Sequence, residues 1–313
     1  MRKTPLHHTV TVRVPATTAN LGPGFDCLGM ALSLWNHVRI RWGGPAGVTV
    51  HGEGEGHLRR DKSNLVYRAA QRLLREAGVP ETELQIVTWQ DVPLSRGLGS
   101  SACAIVGGLV AANAMLGYPV PLPHVLDLAT EMEGHPDNVA AVLLGGCCVA
   151  LKDGEHIHAA QVPLPYDLQC VVFIPEQQMS TKQAREVLQP TVSRQDAVFN
   201  IGRTGLLVAG LATGHLEYLR LATQDRLHQP DRQHAFPAMK QLFVSALSAG
   251  SDGVFLSGAG SSVVAFTRKS EHRAMTIGYE MADAADKARL AGEFFVLDPA
   301  PSGALVLALG VEA

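Results

Sequence analysis

The sequence predicts a protein of mixed strands and helices laid out in two parts, and three observations carry that reading. Short apolar runs with strand-like alternation are interspersed along the whole chain with segments of helical period. A glycine-rich loop around residue 97 runs straight into one of the helical segments. A proline-marked stretch, Val162-Pro163-Leu164-Pro165-Tyr166, sets residues 1–165 apart from residues 166–313. Length agrees, since 313 residues suffice for one large or two moderate domains with a sizeable core.

Composition excludes several function classes. Apolar residues make up 46% and charged residues 18%, ordinary for a water-soluble globular protein. The net charge of −3, with no long basic run, argues against nucleic acid or an anionic membrane as partner. The N-terminal run Met1-Arg2-Lys3-Thr4-Pro5-Leu6-His7-His8 lacks the apolar stretch of a signal peptide. The longest apolar run, residues 140–151, is too short to span a bilayer and contains two glycines. Five cysteines (Cys27, Cys103, Cys147, Cys148, Cys170) are odd in number and form no C-x-x-C pair, which predicts free thiols in a reducing cytoplasm.

Taken in order, Val10-Thr11-Val12-Arg13-Val14 alternates and reads as a strand. Residues 15–29 form a loop rich in glycine and proline that carries Asn20 and Asp26; turn chemistry alone accounts for both residue types. Strands follow at 37–42 and 48–52, then a polar loop over 52–60. Asn64 is placed to cap a helix whose apolar positions are Leu65, Ala69, Leu73 and Leu74, closed by Gly78 and Pro80. A strand at 84–89 then feeds Pro93-Leu94-Ser95-Arg96-Gly97-Leu98-Gly99-Ser100-Ser101-Ala102 and a helix over 102–116.

That loop asks for an anion. Two glycines let successive backbone N–H groups converge, and the first turn of the helix adds unpaired donors and the positive end of its dipole. Phosphate is the usual occupant. The P-loop pattern is absent, because no glycine in the chain precedes a lysine. The dinucleotide pattern G-x-G-x-x-A is nominally met by Gly97 to Ala102. The stretch Asp91-Val92-Pro93-Leu94-Ser95-Arg96 nevertheless separates the strand from the glycines, and no acid stands about 20 positions on.

Beyond a break at 119–123, a helix over 122–133 buries Val125, Leu128, Ala129 and Met132. It also carries Asp127 and Glu131 four apart on one face, where solvated acids are the ordinary expectation. Glu133-Gly134-His135-Pro136-Asp137-Asn138-Val139-Ala140-Ala141 follows; read alone, His135 is a structural histidine and Asp137 a helix cap. Strands are predicted at 145–151, 156–161 and 168–174. A helix starting near 179 is capped by Ser180 or Thr181 and carries Arg185. Helices at 192–212 and 236–249, a strand–glycine loop–strand over 253–266, a helix over 270–291 and strands at 293–298 and 304–309 complete the chain. Between them lies Asp225-Arg226-Leu227-His228-Gln229-Pro230-Asp231-Arg232.

Pro-x-x-x-Gly-Leu-Gly-Ser-Ser-Ala resembles the ATP-phosphate loop of the GHMP small-molecule kinases, and residues 253–266 match that family's third signature. The stretch PATTANLGPGFDCLGMAL, the EGHPDNVAA motif and the STxxAR segment are similar to the branch of the family that phosphorylates homoserine. The resemblance implies an α+β, two-domain GHMP kinase fold: an N-terminal nucleotide domain (1–165) with a left-handed βαβ crossover, against the usual hand, and a C-terminal ferredoxin-like domain (166–313). It implies transfer of the γ-phosphoryl of ATP to the hydroxyl of L-homoserine, on the route to threonine, by a cytoplasmic homodimer that needs Mg²⁺. The nucleotide is expected along Pro93, Leu94, Ser95, Arg96, Gly97, Leu98, Gly99, Ser100, Ser101, Ala102 and Cys103, with Asn64 beside the adenine. The metal is expected on Ser101 and Asp127, with Glu131 as rival. Asn20, Asp26, His135, Asp137 and Thr181 would line the acceptor pocket, with Asn20, Asp26 and Asp137 nearest the chemistry. They are orienting residues first and base candidates second. Arg185 and Arg232 would clamp the acceptor carboxylate, a bidentate task suited to guanidinium. A GHMP kinase for another small alcohol, or a non-catalytic sensor on the same fold, are the rival readings.

Overall fold

A computed structural model describes residues 4–310. The first half supplies β1 (Thr9–Ala19), β2 (Leu28–Trp42), β3 (Gly47–Gly52), α1 (Leu65–Glu76), β4 (Leu84–Gln90), α2 (Ser100–Met115), α3 (Leu122–Glu133), α4 (Pro136–Leu144), β5 (Cys147–Asp153) and β6 (His156–Val162). The second supplies β7 (Leu168–Pro175), α5 (Thr181–Glu186), α6 (Arg194–Thr213), α7 (Leu219–Ala222), α8 (Gln229–Ala235), α9 (Ala238–Ser248), β8 (Gly253–Leu256), β9 (Val263–Arg268), α10 (Ala274–Lys287), β10 (Gly292–Leu297) and β11 (Leu305–Gly310).

The first sheet runs β11-β1-β2-β4-β3, with β5 paired to the far end of β2 and to β6. β3 and β4 are parallel and joined through α1, the βαβ unit of the nucleotide domain. The second sheet runs β10-β7-β9-β8, every neighbour antiparallel. With helices between β7 and β8 and α10 between β9 and β10, this is the βαββαβ order of a ferredoxin-like domain. The proline-marked stretch at 162–166 falls between the two sheets, and β11 returns to the first one beside β1.

One difference from the sequence reading bears on the site. Residues 15–19, read as loop, continue β1 past a register shift between Pro15 and Ala16. These residues are buried on both faces, so the alternation that marks residues 10–14 disappears. A bulge is also where a sheet tolerates proline. α2 is apolar all round because α1, α3, α4, β1 and β2 enclose it. The larger buried cluster runs from the first sheet into Phe255 and Phe266 of the second, so one core spans the seam. Among the described residues no helix is long and apolar enough to cross a membrane.

Candidate active site

One cleft of about 380 Å³ opens between the two sheets. Its first wall is the glycine loop. Asn36 Oδ1 accepts hydrogen bonds from the N–H groups of Asp91 and Val92 (2.8 and 2.9 Å), fixing how the chain leaves β4. Gly97 and Gly99 then take φ of +76° and +70°. A Cβ at Gly97 would fall 2.1 Å from the Ser257 carbonyl oxygen, and one at Gly99 only 1.9 Å from Thr17 Oγ1. Both the conformation and the space admit glycine alone. Gly99 caps α2 with no side-chain bond, so the first-turn amides stay available to an anion. Leu94, Ser95, Gly97, Leu98, Gly99, Ser100 and Ser101 line the cleft, with Asn64. Asn64 also caps α1, accepting from Val66 N at 2.9 Å and donating to Arg59 O, so the expected cap stands on a residue that also lines the cleft.

Four of the residues expected along the nucleotide do not line the cleft. Arg96 spends its guanidinium on three carbonyls, of Pro175, Leu94 and Glu176 (2.8, 3.0 and 3.1 Å), and so braces the loop against the end of β7. Ala102 and Cys103 are buried beneath the loop, where the Cys103 thiol meets Pro15 O. Pro93 is not on the cleft wall.

The acid beside the loop is Glu133, not Asp127. Asp127 accepts from the Ile157 N–H at 2.7 Å and faces His156 at 3.2 Å, which tacks α3 to β6 away from the cleft. Glu131 pairs with Arg72 on the surface. Glu133 ends α3, where Gly134 turns the chain at φ +95°, and its Oε1 accepts the Ser101 hydroxyl at 2.5 Å. Burial pushes Glu133 above the usual carboxylate range, only partly offset by that bond and by His135. Asp127 and Glu133 stand six residues apart on one helix, and Glu133 heads the motif that follows.

The residues expected around the acceptor, Asn20, Asp26, His135, Asp137, Thr181, Arg185 and Arg232, all line the same cleft. Asn20 and Asp26 sit at φ +67° and +58°, a region that Asn and Asp tolerate, so the turn chemistry and the site are one structure. Asn20 donates to Gly258 O (3.0 Å) and accepts from the Asp26 N–H (3.0 Å). Asp26 and Arg185 meet fork to fork at 3.0 and 2.7 Å. Arg232 is buried, donating from Nε to Ala184 O (3.1 Å) and from Nη1 to Gly258 O (2.8 Å). Burial and the nearby Arg185 lower its pKa to about 10. Ser180, not Thr181, caps α5, accepting from Gln183 N.

His135 and Asp137 open α4. His135 Nδ1 lies 2.7 Å from Asp137 Oδ1, which also accepts from the backbone and side-chain nitrogens of Asn138. Burial works against the His135 charge, but the bond to Asp137 and the charges of Asp137 and Glu133 outweigh it and raise the pKa. Asn138 lines the cleft too and accepts from Thr17 Oγ1 at 2.7 Å; sequence reading passed over it, although it sits inside the quoted motif.

Comparison with known proteins follows these features. The family described as GHMP kinases N terminal domain matches residues 64–146, and GHMP kinases C terminal matches residues 207–286. A homoserine kinase of Moorella thermoacetica is 43% identical over 95% of this chain and 99% of its own. One from a Synechococcus species is 47% identical over 82% of this chain and 85% of its own. The crystal structure of homoserine kinase from Cytophaga hutchinsonii superposes with a TM-score of 0.87 at 30% identity, covering 96% of this chain and 98% of that one.

Proposed function

The chain belongs to the GHMP kinase family, and we propose that it is a homoserine kinase, moving the γ-phosphoryl of ATP to the side-chain hydroxyl of L-homoserine to give O-phospho-L-homoserine and ADP. The observation that carries the acceptor assignment is the Asp26–Arg185 ion pair with Arg232 beside it, opening on the cleft that the phosphate loop also lines. A free amino acid presents the complementary pair of charges. Its carboxylate suits the two guanidinium groups, and its ammonium suits the Asp26 carboxylate. A sugar or a simple alcohol would leave both unanswered.

In this reading the amides of residues 97–101 hold the phosphates of ATP, and Asn64 faces the base. Ser101 and Glu133 fit a divalent cation. Among the described residues this half-buried carboxylate bonds the Ser101 hydroxyl and makes no salt bridge, with His135 the one positive charge acting on it, which leaves room for a cation. Mg²⁺ bound there with phosphate oxygens would neutralise charge on the transferring group. Asn20, Asp137 and Asn138 orient the acceptor hydroxyl. Asp137 Oδ1 already takes three hydrogen-bond contacts, which suits a positioning role. Positioning alone contributes on the order of 7–11 kcal/mol to such a step, and the loose transition state of phosphoryl transfer asks little of its nucleophile.

The test is ADP release from Mg-ATP with L-homoserine, set against L-serine, L-threonine and mevalonate. Turnover confined mainly to homoserine supports the assignment. Turnover with mevalonate keeps the kinase and removes the substrate, and nucleotide binding without turnover makes the protein a sensor.

A further inference from the structure

Behind the acceptor half lies a buried layer that the reaction as described does not use. His228 is wholly buried. Its Nε2 lies 2.7 Å from the Gly22 carbonyl oxygen, and its Nδ1 lies 3.0 Å from Arg232 Nη1. A carbonyl only accepts and a guanidinium only donates, so the ring must carry its single proton on Nε2. A doubly protonated ring would set an N–H against the guanidinium with no acceptor between them.

The surroundings press the same way. Burial pushes the His228 pKa down and the Arg232 charge adds to this, against the opposing charges of Asp225 and Asp26. Asp225 comes within 3.5 Å of Nε2, but its carboxylate is engaged by the N–H groups of Leu227, His228 and Gln229 and by Asn200. It therefore holds the turn that carries the ring. On the other side, Phe25 stacks on His228 with centroids 5.1 Å apart, and the guanidinium carbons of Arg185 and Arg232 each lie 5.5 Å from the Phe25 ring centre. Among the described residues Arg232 Nη2 makes no hydrogen bond, so it is the donor left for a ligand.

We propose that His228 is a positioning residue for acceptor recognition: as the Nε2–H tautomer it aims Arg232 into the cleft and ties that guanidinium to Gly22, in the loop that bears Asn20 and Asp26. The inference rests on the amino-acid reading of the acceptor half. The loop itself is also held without the ring, by Asn20 on Gly258 O and by Pro23 O bonded to Asn200 and Thr204, so what the ring sets is the grip on the acceptor carboxylate.

The experiment compares kcat/KM for L-homoserine with that for 3-aminopropan-1-ol, its decarboxylated counterpart, in the full-length enzyme. His228→Phe keeps a ring against Phe25 and removes both hydrogen bonds; His228→Gln keeps one donor and one acceptor. For His228→Phe the homoserine KM is expected to rise about tenfold, the loss of one hydrogen bond to a charged group. The KM for ATP and the turnover of 3-aminopropan-1-ol should stay within about twofold. The preference for homoserine thus shrinks about tenfold, and His228→Gln restores most of it. An unchanged preference, or equal losses on both acceptors, would overturn the assignment, since general destabilisation cannot change the ratio selectively. Should His228→Phe not fold, ¹⁵N shifts of the ring in the wild-type protein decide: protonation at Nε2 alone supports the assignment, and protonation at both nitrogens sinks it. A wild type that does not phosphorylate homoserine would remove the underlying reading as well.

Discussion

The two halves of the cleft are built by different means. The phosphate half is one continuous stretch, residues 94–101, whose working groups are backbone amides and short hydroxyls. The acceptor half is assembled from segments far apart in the chain. Asn20 and Asp26 lie before β2, His135 and Asp137 at the start of α4, Arg185 on α5 and Arg232 on α8, and all of them line one cleft, where Asn20 and Arg232 both donate to Gly258 O. A backbone site is held by local conformation, and its glycines have no substitute. A side-chain site is held by packing, and each of its members leans on another: Arg185 on Asp26, Arg232 on His228, His135 on Asp137.

That contrast can be broken by experiment. The largest effect is expected where the halves share one acid. Glu133→Gln should lower turnover about 10²–10³-fold, the usual loss when a group that stabilises transition-state charge is removed. Raising Mg²⁺ should recover part of it, and a variant with near-normal turnover would show that the metal is held elsewhere. Next, Arg232→Ala removes one group of the acceptor half alone. The KM for homoserine should climb about 100-fold, while that for ATP moves less than about threefold. Comparable changes in both constants would mean that the halves are not separable.

A smaller effect concerns pH. His135 has a folded-state pKa above its ordinary value, with burial opposing the charge and the Asp137 bond and nearby acids more than compensating. Its contribution to stability is therefore fully present below the ordinary histidine value and is lost as pH rises through the folded one. His135→Gln should melt about 2–4 °C below the wild type near pH 5.5 and approach it by about pH 9. A gap that stays constant across that range would count against the ion pair. The smallest effect on turnover belongs to Asp127→Asn. ADP release should stay within about twofold of the wild type, while exchanging a charged for a neutral acceptor at the Ile157 N–H costs about 1 kcal/mol of stability, seen in thermal melts. A collapse of turnover would restore Asp127 to the site.

The same contrast explains what could be read in advance. The strand–loop–helix around Gly97 and Gly99 is visible because it depends on residues next to one another, as are the caps at Asn64 and Ser180. Residues 15–19 were misread because a strand buried on both faces loses its period. The acid that meets Ser101 lies six residues beyond the expected Asp127. Asp127, Glu131 and Glu133 are equivalent as sequence on one helix, and only the turn at Gly134 and the packing of α3 on β6 decide which carboxylate meets Ser101. Arg96, drawn beside the phosphates by its place in the motif, is turned away by three carbonyls that come partly from the other domain.

By itself, then, the sequence determined the order of elements, the anion-binding loop and the family, because helical and strand periods, glycine conformations and capping act over a few residues. Tertiary structure alone decided which acid faces the phosphate loop, that Asp26 and Arg185 meet as an ion pair, and that a buried histidine stands behind Arg232. The Ser101–Glu133 bond spans 32 positions, the Asp26–Arg185 pair 159 and the bond that ties His228 to Gly22 206, although His228 and Arg232 themselves stand only four apart. Their geometry follows from how two sheets close on one core, and no local pattern carries that information.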